Sequence, residues 1–253
     1  MAMSRNSLSN IFFNKPTDAK WWMGILLPVW VLGGFILAQV IVGLLLVIFK
    51  IFGVSFANAN ETVFQTVLSA IIYIFSIAIV IGIPWLVKKY KTSKQDLGID
   101  KPATWTDILL APAGFIVYIL LSYVLTTIAS HVLPFYNAQQ VQDTGFAGLS
   151  QGYEYVLAFV TLVVIAPVSE EILFRGYLLG KLRKHVPLWV SILITSVLFG
   201  AIHLAWNVGV DVFALSIVLC LLRVQTGRLW PSMLLHMIKN AIAFYLLFIN
   251  PLL

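Results

Sequence analysis

Two adjacent carboxylates, Glu170 and Glu171, end an uncharged run from Tyr155 to Val168, and Arg175 follows one turn later. An ionisable side chain in the hydrocarbon region costs at least ~2.5 kcal/mol by insertion scales. Two in a row therefore need an electrostatic or chemical reason. On a helix, Glu171 and Arg175 are spaced i,i+4 and can pair on one face. Glu170 is rotated about 100° from Glu171 and needs its own partner or task. Two further motifs follow, Phe199-x-x-x-His203 and His236-x-x-x-Asn240. Each places its two residues on one helix face. Of the four histidines, two lie inside late apolar segments, downstream of the glutamate pair.

The chemistry these residues can support is peptide hydrolysis. A carboxylate can take a proton from water while an imidazole holds that water in line. A second imidazole and an amide can donate hydrogen bonds to a tetrahedral oxyanion. Glu170, His203 and His236 are also legitimate zinc ligands. No His-Glu-x-x-His motif is present, which removes the zincin arrangement. Lys239 lies near the His236 face, where it can pair with Glu171 or Asp211 or snorkel to water. His131 and His185 read as solvated, and Cys220 as a small buried hydrophobe.

The ordered set Glu170-Glu171-x-x-x-Arg175, Phe199-x-x-x-His203 and His236-x-x-x-Asn240 resembles the three motifs of the CPBP family, also called Abi. These are the CAAX-processing and bacteriocin-processing intramembrane proteases, which include the type II CAAX prenyl endopeptidase. The resemblance covers roughly residues 150–250. It implies that Glu170 activates water and His203 assists. It implies that His236 and Asn240 stabilise the oxyanion, with Glu171, Arg175 and Phe199 structural or orienting. A metal-free glutamate mechanism without a cofactor is favoured, and zinc on Glu170, His203 and His236 is the alternative. The partners would be a membrane protein or peptide substrate and the lipid bilayer, with no nucleic acid. A rival from another class is a non-catalytic immunity or sensor-partner protein on the same fold. The intact motif set argues against it.

The elements that must position these residues are hydrophobic helices. The 253 residues are 60% hydrophobic and only 10% charged, far below the roughly 25% charged of soluble domains. Mean hydropathy is +0.97. The apolar runs are continuous and near helix-spanning length, not the alternating strands of a barrel. The expected fold is all-α, a polytopic membrane helical bundle of about seven transmembrane helices. It forms one domain, with N-terminal spans in 1–150 and the catalytic core in 151–253. The expected spans are 21–49, 63–87, 107–133, one from about 153, 188–206, 212–224 and 229–249. Leu97-Gly98-Ile99 is expected as a surface turn, and the polar stretch 207–211 as the separator of two spans. Lys and Arg cluster at 88–101, 181–184 and 223–228 and are absent from 51–62 and 134–151. The positive-inside rule then puts the N-terminus in the cytoplasm and the C-terminus outside. One geometric demand follows. For Glu170, His203 and His236 to meet, the fourth helix must run well past Arg175, or the fifth must be short and displaced inward.

Overall fold

A computed structural model describes residues 12–13, 16, 19–87, 91–140, 146 and 148–250. Among these residues all regular structure is helical. Six helices are long and apolar enough to cross a membrane: α1 Met23–Ile51, α2 Glu61–Leu86, α4 Trp105–Val132, α5 Gly152–Leu182, α7 Trp206–Thr226 and α8 Trp230–Ile249. Between them lie the short α3, Lys94–Leu97, and the apolar α6, Leu188–Ala201.

Both routes to a common site are taken. α5 continues past Arg175 to Leu182. α6 has 14 residues, roughly 21 Å at 1.5 Å per residue, against about 30 Å of hydrocarbon. α6 is therefore too short to cross the hydrocarbon, and His203 lies just beyond its end. The polar stretch 207–211 is no separator, because α7 starts at Trp206 and takes it in. The physical reason lies in the crossing of α6 and α7. A Cβ on Gly200 would stand 2.7 Å from the Gly209 carbonyl oxygen, so only glycine lets the two backbones touch there. The polar groups nearby are held rather than solvated. The Asn207 amide donates to the backbone oxygens of Gln140 at 2.8 Å and Ala138 at 3.3 Å.

The basic end is also more ordered than a surface turn. Ser93 and Asp96 form a capping box on α3, and Gly98 closes it with φ +78. Leu97 is buried in the core and packs beside Gly176 of α5. The Leu229 N–H donates to the Gly98 carbonyl at 2.9 Å, and Arg223 Nη2 donates to the Asp96 carbonyl at 2.9 Å. At the other end, Asn60 caps α2 and its amide donates to Glu154 of α5 at 2.6 Å. This ties the starts of two helices that lie side by side.

The main core is built by Leu27 and Val31 of α1, Leu173, Phe174 and Leu178 of α5, and Phe199 of α6. A second core joins α4, α7 and α8 through Ala111, Tyr118, Leu215, Leu219 and Leu235. The outer faces stay apolar and uncovered. α1 alone exposes Ile25, Val29, Ile36, Val40, Leu44 and Val47. A helix satisfies its backbone internally, so such a face suits lipid.

Candidate active site

Glu170 and Glu171 sit where α5 is irregular. Wide π-type turns at Val160–Ile165 and Ile172–Leu178 flank the regular turns of Ala166–Glu171. Such turns rotate the following side chains and recur at functional sites. The two glutamates consequently face different surroundings. Glu171 is wholly buried, and its Oε1 accepts from Arg175 Nη1 at 2.7 Å. The same oxygen lies 3.0 Å from His236 Nδ1. Glu170 faces the cleft, where its Oε1 accepts from the Tyr73 hydroxyl of α2 at 2.6 Å. Its Oε2 lies 3.8 Å from His236 Nε2. That separation is too long for a hydrogen bond, and one water can touch both atoms.

The hydrogen bonds also settle which nitrogen carries the proton on each imidazole. His203 Nδ1 lies 2.8 Å from the Phe199 carbonyl oxygen. A carbonyl only accepts, so Nδ1 donates, and Nε2 of the neutral ring is an acceptor. His236 Nδ1 faces the Glu171 carboxylate and donates likewise. His236 can then donate from Nε2 only when it carries both protons. Asn240 spends one amide N–H on the Leu162 carbonyl at 2.8 Å and keeps its other polar atoms for the cleft.

Phe199 is the hub beneath this group. It is fully buried, its ring centroid lies 4.3 Å from the Arg175 guanidinium carbon, and it makes edge contacts with His203, His236 and Phe174. Stacking of this kind fixes ring orientation at little entropic cost. Leu204, next to His203, takes φ +59 and is 92% exposed. A left-handed non-glycine residue stores roughly 1–2 kcal/mol. Strain at that position belongs to the tight reversal that delivers His203.

Tyr73, Glu170, His203, His236 and Asn240 all line one cleft of about 540 Å³, with Asp211 and Lys239 on the same wall. Ala138, Gln139 and Gln140 line its other end, so the cleft runs away from the basic loops. Lys239 is paired with Asp211 at 3.6 Å and not with Glu171. Among the described residues, no three His, Cys, Asp or Glu side chains are grouped to hold a metal ion. His131 and His185 do not line the cleft, and His185 is half-buried rather than solvated. Residues 148–152 carry the spacing Gly-Leu-Ser-Gln-Gly, but Ser150 does not line the cleft. Its N–H and hydroxyl donate to Glu154 at 2.8 and 3.2 Å, capping α5.

Sequence reasoning missed Tyr73 as a member of the cleft wall, and Tyr118 and Ser122 as the hydrogen-bond donors that hold Asp211. The available signal was that Glu170 lacked a partner on its own helix. A tyrosine hydroxyl in an apolar span is such a partner.

Residues 152–242 match the family described as type II CAAX prenyl endopeptidase Rce1-like. An Escherichia coli protein named "Uncharacterized 24.3 kDa protein" is 33% identical over 89 residues, covering 33% of this chain and 41% of that protein. The Bacillus subtilis "Uncharacterized protein YyaK" is 26% identical over 202 residues, covering 75% of this chain and 63% of that protein. The Bacillus subtilis "Putative membrane peptidase YdiL" is 26% identical over 141 residues, covering 56% and 57%. The chain thus spans less than two thirds of the length of each of these relatives. No solved structure matches it. The segment similar to the type II CAAX prenyl endopeptidase Rce1-like family, residues 152–242, contains all three motifs.

Proposed function

We propose that this chain is an intramembrane endopeptidase of the glutamate type, cleaving a membrane-associated protein or peptide. The observation that carries the reading is the set of surroundings of Glu170. One oxygen is held by Tyr73, and the other lies 3.8 Å from His236 Nε2, so that a water beside the two atoms can touch both. His203, with its acceptor nitrogen unspent, lines the same cleft. Glu170 takes a proton from that water as the oxygen attacks the scissile carbonyl, with His203 Nε2 accepting the water's other hydrogen bond. The second Asn240 N–H, and His236 in its doubly protonated form, donate to the developing oxyanion. Glu170 then returns its proton to the leaving amine.

The mechanism uses no metal. Each residue has one role, whereas zinc ligation would take up Glu170, the carboxylate assigned to activate water. The loop charges favour a cytoplasmic N-terminus by the positive-inside rule, and the Gln140 end of the cleft is then extracytoplasmic.

The test uses purified full-length protein in proteoliposomes, with hydrophobic peptides as substrates and mass spectrometry as readout. The wild type should cleave after dialysis against a strong chelator, and Glu170→Gln should not cleave at all. Activity lost to the chelator and restored by zinc would overturn the metal-free mechanism. Equal peptide release by wild type and Glu170→Gln would overturn the function and favour a binding protein on the same fold.

A further inference from the structure

One cation on the cleft wall has no part in the hydrolytic scheme. Lys239 stands three residues after His236 and beside Asn240, midway along the 20-residue α8. Its Nζ lies 3.6 Å from Asp211 Oδ2, beyond hydrogen-bond length, and it makes no hydrogen bond among the described residues. Asp211 does not depend on it. Its Oδ1 accepts from the Tyr118 hydroxyl at 2.7 Å and from Ser122 Oγ at 2.5 Å.

The contrast with the other ion pair of the site is informative. Glu171 and Arg175 are in contact at 2.7 Å, and both side chains are 0% exposed. That pair is closed and belongs to the packing. The Lys239 and Asp211 side chains keep 19% and 26% exposure beside the cleft. An ammonium has three donors. An open cation among cleft-lining residues is poised for an anion that enters with the substrate. Without it, Glu170 and Asp211 would repel such a group.

We infer that Lys239 binds a carboxylate of the substrate peptide and selects acidic over neutral peptides. The inference rests on the endopeptidase reading. Side chains at i,i+3 on a helix have Cβ atoms about 5–6 Å apart, and an extended peptide advances about 3.3 Å per residue. The carboxylate therefore lies within about three residues of the scissile bond. The carboxylate we assign is a Glu or Asp side chain of the peptide, distinct from its C-terminus.

The experiment measures kcat/KM for hydrophobic peptides bearing Glu or Gln at each position in turn, made as C-terminal acids and as C-terminal amides. Wild type should prefer the peptide with a correctly placed carboxylate at least tenfold over its neutral isostere. A Glu/Gln effect seen in both the acids and the amides supports the side-chain carboxylate, and an acid/amide effect without a Glu/Gln effect overturns it. Lys239→Met should bring the ratio close to 1, and Lys239→Arg should restore part of it. Lys239→Glu should favour peptides with Lys at that position, which a merely structural role would not produce. The inference is overturned if Lys239→Met lowers acidic and neutral peptides equally, or if wild type shows no charge preference. Absence of cleavage of every peptide by wild type would instead remove the endopeptidase reading, and this inference with it.

Discussion

Glu170 and Glu171 are neighbours in sequence with opposite surroundings, and their variants should differ accordingly. Glu171 is fully buried between Arg175 and His236. Breaking a buried pair leaves an uncompensated charge at a cost of ~3–5 kcal/mol. Glu171→Gln should therefore lose thermal stability as well as activity. Glu170→Gln should unfold near the wild-type temperature in a detergent melt while being inactive. The reverse pattern would exchange the two assignments. Tyr73 offers a finer measurement. A hydrogen bond to a charged group contributes about 1.5–3 kcal/mol, so Tyr73→Phe should lower kcat by roughly 10- to 100-fold with little change in KM. A loss confined to KM would make Tyr73 a substrate contact instead of a residue that positions Glu170.

At the scale of elements, the site depends on a short helix crossing a long one. Gly200 of α6 meets Gly209 of α7 backbone to backbone, and His203 follows within the same turn. Gly200→Ala should force the helices apart at a cost of about 1–3 kcal/mol, as overpacking generally does. It should also reduce activity by moving His203. Gly43→Ala in α1 is the control, since a Cβ there meets nothing within 4 Å, and a change of that kind should stay within about 0.5 kcal/mol. A melt in which the two variants are indistinguishable would remove the crossing as the device that sets His203.

For the whole molecule, the question is which side the cleft faces. Basic residues gather at the α3 end of the bundle, and the cleft extends to Gln140 at the other end. In a Cys220→Ser background, Lys94→Cys and Gln140→Cys should react with an impermeant maleimide from opposite sides of the membrane. Ala243→Cys, on the cleft wall, should react from the Gln140 side. Reaction of Lys94→Cys and Gln140→Cys from one side would sink the charge-based topology, and reaction of Ala243→Cys from the Lys94 side would reverse the cleft.

What the chain determined by itself were properties that depend on local composition and spacing. Long apolar runs require helices in lipid, because only an internally bonded backbone is stable there. The i,i+4 spacings of Glu171 with Arg175 and of Phe199 with His203 are geometric consequences of the helix, and the structure brings each pair together. What tertiary structure alone decided were partners far apart in sequence. Tyr73 reaches Glu170, and Tyr118 and Ser122 reach Asp211, from helices whose apolar patterns carry no sign of it. The 207–211 stretch reads as a loop because it is polar, yet it folds into α7 because Gly209 must meet Gly200 and Asn207 finds backbone partners across the chain. The depth of His203 was likewise a matter of helix length and crossing. Local spacing constrains which residues can share a face, but only packing decides which faces meet.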